Sequence, residues 1–589
     1  MKQFFKFTFA SCLGFAIAMI ILWFVMIFSV MGLVATIGSG TDEKKTISEN
    51  SILHLNLNGV IQERSTELEL PPMFSDYALK EIGLDRIMTA IDKAAKNPKI
   101  KGIYLESGLL QCGYATAQQI RTKLQDFKKS GKFVYAYSDL YAQNGYFLST
   151  VADTLVTNPS GMIELKGLSS TSMFFKGALD KLGIQMQIFK VGTYKSAVEP
   201  FTETKMSDAN REQMTMLLSN FWSVILDSVS VSRGVPVAEL NKYASEGIML
   251  KEQKDLLSSK LVDKLLYRDE FNTLLKTKMG IAQDKKLKLV SISDMAKNSD
   301  IIDDNQKSRN TIALVYAVGE IDGTSTPKVD TRKLSEEIFK IKADSSIKAV
   351  VLRVNSPGGS AFGSEQVWYA LSELKKVKPF VVSMGDYAAS GGYYISCDAN
   401  WIFAEPTTLT GSIGIFGMLP NTKGLTDKLG LNFDVVQTNP IANFPSMTSP
   451  VSAEERMLMQ RNVERGYELF TRRCAEGRKM PVESILKVAE GRVWSGVKAK
   501  ELGLVDELGG MDMALAKAAS LANLKDYKVK DYPKKKDFFD QLLEDYGLAA
   551  VTRLTSVLGG DYFKEYLIIN NIKDMDPVQA RLPLMLDIE

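Results

Sequence analysis

The amino-acid sequence predicts two tandem, similar α/β domains that follow one N-terminal transmembrane helix. Three observations support this fold class. From about Ser51 onward, apolar β-rich runs alternate with amphipathic stretches, the same succession begins again near Thr311, and residues 7–37 carry no charged side chain. Alternation of strands and helices with short links favours a largely parallel sheet covered by helices. A chain of 589 residues is also long enough for more than one domain.

The uncharged N-terminal segment predicts a membrane anchor over residues 1–40. It exceeds the roughly 20 apolar residues that span a bilayer. Lys2 and Lys6 precede it, and the charges of residues 42–45 nearly cancel. The positive-inside rule then places the short N-terminus in the cytoplasm and the rest of the chain across the membrane. A cleaved signal peptide is the alternative, but the apolar run is longer than a usual signal-peptide core and ends without a clear A-x-A site.

Two α/β domains are predicted over residues 50–280 and 311–530, joined by a polar linker over residues 281–310. A C-terminal extension, residues 531–589, contains no motif that we can interpret. The predicted strands are Ile52–Leu57, Gly102–Leu105 and Phe133–Tyr137 in the first domain, and Ile312–Val318, Ala349–Val354 and Phe380–Val382 in the second. The predicted helices are Leu84–Ala95 and Ala117–Lys129 in the first domain, and Ser335–Lys342 and Ser364–Lys375 in the second.

The two domains are copies of each other. IKGIYLES, from Ile100, matches IKAVVLRV, from Ile347, and SDLYAQNGYFLS, with Asp139, matches GDYAASGGYYIS, with Asp386. Both pairs are 247 residues apart, and further matches follow with small gaps. A repeat of this length indicates a duplicated domain.

Composition excludes several classes of function. The formal net charge of +3 gives no indication of nucleic-acid binding. The one histidine, His54, lies in a predicted strand, so a histidine-cluster metal site is excluded, and any Ser–His–Asp mechanism would need that residue. The four cysteines, Cys12, Cys112, Cys397 and Cys474, form no CxxC motif. They indicate neither a zinc site nor a disulfide framework, and we expect free thiols at Cys112 and Cys474.

Ser390 is the candidate nucleophile. It lies in AASGG (residues 388–392), after an apolar strand and before residues 393–397, which can begin a helix. Small neighbours leave the hydroxyl open to approach, and N–H groups at a helix start can stabilise an oxyanion. A Gly/Ser turn without chemistry is the alternative interpretation.

The two copies differ in a reciprocal way that suggests a partner for this serine. The first copy has Gln143 where the second has Ser390, and the second has Ala442 where the first has Lys195. A serine hydroxyl needs an adjacent base, and lysine is the plausible one when the single histidine lies on an early strand. That base must be neutral, so burial has to lower its pKa from about 10.4 to roughly 7–8.

The surroundings of Lys195 supply two candidates that could hold its nitrogen, Ser412 in LTGSIG and Ser196. The alternative is that Lys195 is an ordinary surface lysine.

For the oxyanion hole, RVNSPGGS (residues 353–360) follows a predicted strand, at the sheet edge where α/β proteins bind ligands. Gly358 or Gly359, together with the N–H of Gly391, is the predicted hole, and an ordinary β-turn is the alternative.

These motifs together resemble the signal peptide peptidase A family in its long, two-domain bacterial form. The resemblance is carried by RVNSPGGS, DYAASGGYYIS (386–396), TLTGSIGIFG (408–417) and VGTYKSAVEPF (191–201). It implies tandem ClpP/crotonase-like domains and a serine endopeptidase with Ser390 as nucleophile and Lys195 as general base. No metal, nucleotide or other cofactor is implied.

The resemblance also implies apolar peptide substrates, namely signal peptides left in the membrane after preprotein cleavage. It implies a homotetramer held in the bacterial inner membrane by the N-terminal helix, with the catalytic domains on the periplasmic side. Two other functions remain open at this stage. The crotonase-like fold also serves acyl-CoA chemistry, and a membrane-anchored scaffold would need no catalytic residue.

Overall fold

The computed structural model describes residues 47–65, 81–298, 307–324, 327–535 and 578–582, together with seven separate positions between 14 and 25. The predicted anchor over residues 1–40 lies outside these ranges apart from those seven positions. Among the described residues, one helix, Asp208–Arg233, has the length and composition of a membrane span. Its buried side chains, which include Leu217, Phe221 and Ile225, pack in the protein core.

The first half of the chain forms a six-stranded, wholly parallel sheet in the order β10–β1–β4–β6–β7–β9, with a small three-stranded sheet, β3–β2–β5, beside it. The strands are β1 (Ser51–Asn56), β2 (Gly59–Gln62), β3 (Glu81–Gly83), β4 (Ile100–Glu106), β5 (Leu110–Gln111), β6 (Phe133–Tyr141), β7 (Thr154–Ile163), β8 (Gln185–Lys190), β9 (Lys264–Leu265) and β10 (Leu289–Val290). The helices are Leu84–Lys96, Tyr114–Lys128, Gln143–Ser149, Lys176–Leu182, Glu199–Thr202, Asp208–Arg233, Val237–Ser245, Gln253–Ser258, Arg268–Met279 and Ile292–Lys297, with 3₁₀ turns at Ser196–Val198 and Ile248–Leu250.

The second half repeats this plan around the strand order β20–β18–β16–β14–β11–β22, with β17 and β21 beside β16. Its strands are β11 (Thr311–Val318), β12 (Glu320–Ile321), β13 (Lys328–Val329), β14 (Ile347–Ser356), β15 (Gly358–Ser360), β16 (Phe380–Ala389), β17 (Trp401–Ala404), β18 (Leu409–Gly411), β19 (Phe416–Asn421), β20 (Val493–Ser495), β21 (Glu507–Leu508), β22 (Lys528–Tyr532) and β23 (Val578–Arg581). Its helices are Thr331–Ala343, Ala361–Lys375, Gly391–Tyr394, Lys423–Lys428, Ala453–Arg478, Val482–Val488, Gly496–Glu501 and Met511–Leu521.

Every strand and helix predicted for the two α/β domains is present, with ends that differ by up to seven residues. The central strands β11 and β14 are buried almost throughout, because helices cover both faces of the sheet. The main difference between the predicted and the observed structure lies in the linker and in the C-terminal extension. The segment predicted as a polar linker supplies β10 and the helix Ile292–Lys297, and the C-terminal extension supplies β23.

A third sheet joins the two halves, in the order β13–β12–β15–β23–β19–β8. Strand β8 comes from the first half and pairs antiparallel with β19 of the second, from Lys190 opposite Phe416 to Gln185 opposite Asn421. Because β8 leads directly into the loop that carries Lys195, this ladder fixes that loop against the second half.

Two buried polar contacts reinforce the junction. The guanidinium of Arg353, on β14, has no exposed surface and donates from Nε and Nη2 to the carboxylate of Glu63, at 2.8 Å each. Asn355 Nδ2 donates to the same carboxylate at 2.9 Å. Close to this pair, Thr116 donates from its backbone N (3.0 Å) and its Oγ1 (2.6 Å) to the carboxylate of Asp386.

Replacing Glu63 with alanine should destabilise the protein strongly, because it leaves the buried guanidinium of Arg353 without its counter-charge. We expect a loss of roughly 3–5 kcal/mol in the free energy of unfolding, measured by urea denaturation followed by tryptophan fluorescence. The matched control is Glu336→Ala, which removes an exposed partner of Arg332 and should cost less than about 1 kcal/mol. Equal losses from the two substitutions would contradict this account of the junction.

Candidate active site

Ser390 lies at the end of β16, immediately before the short helix Gly391–Tyr394, as the sequence predicted. Its backbone has φ 54° and ψ −113°, a conformation that costs energy in any residue other than glycine. Two backbone hydrogen bonds hold it, from Ser390 N to the Gly411 carbonyl and from Tyr394 N to the Ser390 carbonyl, each at 2.8 Å. A sharp turn from strand to helix presents a side chain at the carboxyl end of the sheet, as the nucleophile turn of α/β-hydrolases does.

Lys195 reaches this serine from the other half of the chain. It follows β8 and precedes the 3₁₀ turn Ser196–Val198, and its Nζ lies 2.9 Å from Ser390 Oγ. Both residues are fully buried, with 1% and 0% exposure. Gly491 makes room for the lysine, since a Cβ there would lie 2.7 Å from the Lys195 Cα. The structure therefore brings together the two residues that the reciprocal differences between the copies singled out.

Burial lowers the pKa of Lys195 from its ordinary value of 10.5 to about 7. The cause is the loss of water around the amine, which disfavours the ammonium form. At neutral pH a large fraction of the amine is therefore neutral and carries a lone pair. This is the protonation state that a general base requires.

Ser412 orients the amine. Its Oγ lies 3.1 Å and its carbonyl oxygen 3.4 Å from Lys195 Nζ, and its own hydroxyl donates to the Gly491 carbonyl at 3.3 Å. A neutral amine has two N–H groups and one lone pair. When Ser412 accepts both N–H groups, the lone pair is left facing the hydroxyl of Ser390.

Ser196, the second predicted supporting residue, lies in a different environment. Its hydroxyl accepts from Gln213 Nε2 at 3.2 Å, and the described hydrogen bonds of the Lys195 amine run to Ser390 and Ser412. Phe416 was not among the predicted residues, and its ring centre lies 6.0 Å from Lys195 Nζ. Its position in the TLTGSIGIFG motif was the signal that could have pointed to it.

Of the two glycines in the Pro-Gly-Gly turn, Gly358 lies closer to the serine turn. It has φ +97°, and a Cβ at that position would lie 2.8 Å from the backbone N of Gly391 and 3.1 Å from the Ala389 carbonyl. No side chain fits there. Gly359 turns toward β12, since its Cβ would lie 2.1 Å from the Ile321 carbonyl. Gly358 therefore lies next to the backbone N of Gly391, and its own N–H donates to Ser356 Oγ at 3.2 Å.

His54 has a structural environment, as its place in a strand suggested. Its Nε2 lies 3.0 Å from Glu106 Oε2, and its ring stacks on Tyr104 at 4.6 Å between centroids. These partners belong to the first sheet, and none of them takes part in the contacts of Ser390.

One protein-family model matches each of the two similar halves of the chain. The model described as peptidase family S49 matches twice, over residues 126–282 and 372–525. The first match contains Lys195 and the second contains Ser390. The chain belongs to peptidase family S49. The double match confirms the tandem duplication inferred from the 247-residue repeat.

Individual relatives extend over nearly the whole chain. "Protease 4" of Salmonella typhi is 36% identical over 561 residues, which is 92% of this chain and 89% of that protein. "Serine protease SPPA, chloroplastic" of Arabidopsis thaliana is 32% identical and covers 81% of this chain and 70% of its own length. A "Putative signal peptide peptidase SppA" of Enterococcus faecium is 33% identical over 220 residues, 37% of this chain and 64% of that protein. These findings confirm a serine peptidase of the long, two-domain signal peptide peptidase A type.

Removing the hydroxyl of Ser412 should lower kcat without unfolding the site, because the amine of Lys195 loses an acceptor that orients its lone pair. For Ser412→Ala we expect a decrease in kcat of about 10- to 100-fold on a peptide substrate. This is at or below the lower end of the ~10²- to 10⁴-fold that a positioned acid–base group contributes, because Lys195 itself remains. Ser196→Ala is the matched control and should stay within threefold of wild type. Loss of activity in Ser196→Ala with Ser412→Ala unaffected would reverse the roles assigned to these two serines.

Proposed function

We propose that this chain is a membrane-anchored serine endopeptidase that uses Ser390 as nucleophile and Lys195 as general base to degrade cleaved signal peptides and similar apolar peptides. The observation that carries the proposal is the 2.9 Å contact between the buried Lys195 Nζ and Ser390 Oγ, with the lysine pKa lowered to about 7. The two residues come from different halves of a duplicated chain, and each is replaced in the other half.

In the first step, the neutral amine of Lys195 takes the proton from Ser390 Oγ as that oxygen attacks a peptide carbonyl. The substrate oxygen gains negative charge and is stabilised by the backbone N–H groups of Gly358 and Gly391. The ammonium of Lys195 then gives its proton to the departing amine, and an acyl-enzyme on Ser390 remains. Water attacks the acyl-enzyme in the second half of the reaction, with Lys195 again serving as base.

The location and the substrate class belong to the same proposal. The uncharged segment over residues 7–37 would tether the enzyme in the inner membrane, with the peptidase domains on the periplasmic side. Signal peptides released into the bilayer would then lie close to the enzyme. Assembly into a homotetramer is likewise proposed from the resemblance to the long two-domain family.

Hydrolysis of a quenched apolar signal-peptide analogue by the detergent-solubilised protein tests the two catalytic roles. Ser390→Ala and Lys195→Ala should each reduce kcat/KM by at least ~10³-fold, because the nucleophile and its base act as one unit. The exposed residues Ser258 and Lys181 provide matched controls, and Ser258→Ala and Lys181→Ala should match wild type. Circular dichroism establishes that all four variants are folded.

Other outcomes of that experiment favour other functions. If Lys195→Ala remains active while Ser390→Ala does not, the base is another group. If the wild-type protein cleaves none of the peptides and instead binds acyl-CoA, the crotonase-like alternative is supported. If it does neither, and Ser390→Ala supports growth as well as wild type, the scaffold alternative is supported.

The lowered lysine pKa predicts a distinct pH profile. Lys195 is a base only when it is unprotonated, so kcat/KM should rise about tenfold per pH unit below 7 and level off above it. Initial rates between pH 5 and 10 measure this midpoint. Lys195→Arg should stay inactive across the range, because a guanidinium keeps its proton. A midpoint near 10 in the wild-type enzyme would contradict the burial-lowered pKa.

A further inference from the structure

One short loop of the second half, Glu490–Arg492, covers the base of the candidate dyad. We call it the 490 loop. The backbone N of Tyr194, the residue before that base, donates to the Glu490 carbonyl at 3.0 Å. The backbone N of Ser412 donates to the Arg492 carbonyl at 2.7 Å. The loop therefore contacts both the chain beside the lysine and the serine that accepts from its amine, and its position decides where the two lie.

The side chain of Arg492 lies between two aromatic rings. Its guanidinium carbon is 4.5 Å from the ring centre of Tyr194 and 4.8 Å from that of Trp494. Its Nη2 donates to the carboxylate of Glu212, on the long helix Asp208–Arg233, at 2.8 Å. A planar guanidinium can stack on aromatic faces and form an ion pair at the same time. The arginine thus ties the 490 loop of the second half to the residue that precedes the base in the first half.

The first half of the chain contains a copy of this loop. SEGIML (residues 245–250) matches AEGRVW (residues 489–494), with the two glycines 244 residues apart. Both glycines have a positive φ, 67° at Gly247 and 79° at Gly491. A Cβ on Gly491 would lie 2.7 Å from the Cα of Lys195, whereas a Cβ on Gly247 would have no described atom within 4 Å. The same turn is present in both copies, and in the second copy it packs on the lysine.

The residues that follow the glycine differ between the copies. Ile248 stands at the position of Arg492, and Leu250 at the position of Trp494. Leu250 is 82% exposed, whereas Trp494 is 6% exposed. The arginine and the tryptophan therefore belong to the copy of the loop that covers the base. This is the same kind of difference between copies that singled out the dyad itself.

We propose that Arg492 is a positioning residue that holds the 490 loop against Lys195, so that water is kept from the amine and Ser412 stays within hydrogen-bond distance of it. This inference rests on the proposed role of Lys195 as general base. The side-chain contacts of the arginine run to the rings and to helix Asp208–Arg233, so it acts on the base through the loop.

Removal of the guanidinium should free the loop while the fold persists. The ion pair with Glu212 joins side chains that are 20% and 57% exposed, and such pairs add little stability. The Nε of Arg492 is buried without a hydrogen-bond acceptor among the described residues, which itself costs stability. When the loop opens, water reaches the amine and stabilises its ammonium form. The pKa of Lys195 then rises from about 7 toward its ordinary value of 10.5.

The first test is the pH profile of kcat/KM for Arg492→Ala, measured between pH 5 and 10 with the quenched peptide. We expect the midpoint to rise by about one pH unit or more, which lowers kcat/KM at pH 7 by at least about fivefold. At pH 10 the activity should recover to within about threefold of wild type, since the lysine is then neutral again. A purely structural role would lower the profile by the same factor at every pH.

Arg473→Ala is the matched control. Arg473 also stacks on an indole, at 3.7 Å from the ring centre of Trp368, and pairs with Glu365 at 2.7 Å. Its side chain is 23% exposed, close to the 20% of Arg492, but it has no described contact with the 490 loop. The substitution should leave the midpoint of the pH profile unchanged.

Two further variants separate the parts of the contact. Tyr194→Phe keeps the ring against the guanidinium and loses only a hydroxyl that lies 3.4 Å from Glu212, so it should keep the wild-type midpoint. Arg492→Met fills the space between the rings without a planar charge and should raise the midpoint as alanine does. The methionine variant also serves if Arg492→Ala fails to fold, as judged by circular dichroism.

Acetylation by a trace of acetic anhydride measures the same midpoint without catalysis, because a neutral amine reacts and an ammonium does not. The full chain carrying Ser390→Ala is labelled across the pH range, and mass spectrometry compares Lys195 with the exposed Lys181 of the same molecule. Labelling of Lys195 should be half-maximal near pH 7, and Arg492→Ala added to this chain should raise that midpoint by about one unit or more.

The two assays separate this inference from the proposed function. A raised labelling midpoint supports the role of Arg492 even if the wild-type protein cleaves none of the peptides tried. Unchanged midpoints in the folded Arg492→Ala and Arg492→Met chains overturn that role and leave the Ser390–Lys195 dyad standing. A profile lowered equally at every pH overturns it as well. A labelling midpoint near 10 in the chain that retains Arg492 overturns both the inference and the proposed base.

Discussion

Burial of one amine next to one hydroxyl is the constraint on which the site depends. Moving the pKa of Lys195 from 10.5 to about 7 corresponds to a cost on the order of 5 kcal/mol for its charged form. The protein must therefore hold the lysine in place by other contacts. Gly491 and Gly414 allow its backbone and stem to pack closely, and Ser412 accepts its N–H groups. The same burial that makes the lysine neutral also removes the water that would compete for Ser390.

This constraint explains why a strand ladder and buried polar contacts fix the two halves of the chain against each other. Lys195 and Ser390 lie on different domains, so a shift of one ångström between the domains would break their contact. The β8–β19 ladder fixes the lysine loop directly. The buried Glu63–Arg353 pair and the neighbouring Thr116–Asp386 contact add further links between the two halves. Polar contacts suit this task, because their geometry fixes a single relative position more narrowly than apolar packing does.

Much of the fold and of the candidate site could be predicted from the sequence. Strands and helices followed from hydrophobic periodicity, and the candidate dyad followed from comparing the repeats at one offset. The pairing of β23 could not be predicted, because Val578–Arg581 is a short run whose partners lie more than 150 residues away. The Glu63–Arg353 ion pair could not be predicted either, since no local sequence pattern shows which distant carboxylate a buried arginine will contact. Ser196 was a candidate by adjacency alone, whereas its side-chain direction is set by the 3₁₀ turn and Gln213.

The first domain has the same turn with a different residue at its centre. Gln143 stands at the position of Ser390, and its amide donates to the Gly167 carbonyl at 2.9 Å. Gly167 is the counterpart of Gly414, whose carbonyl lies 3.4 Å from Ser390 Oγ. The same loop thus contacts the same position in both domains, through an amide in one and a hydroxyl in the other. A larger polar side chain satisfies that loop as a structural bridge and leaves no free hydroxyl, so the first copy keeps the architecture of the turn and contributes its lysine to the other domain.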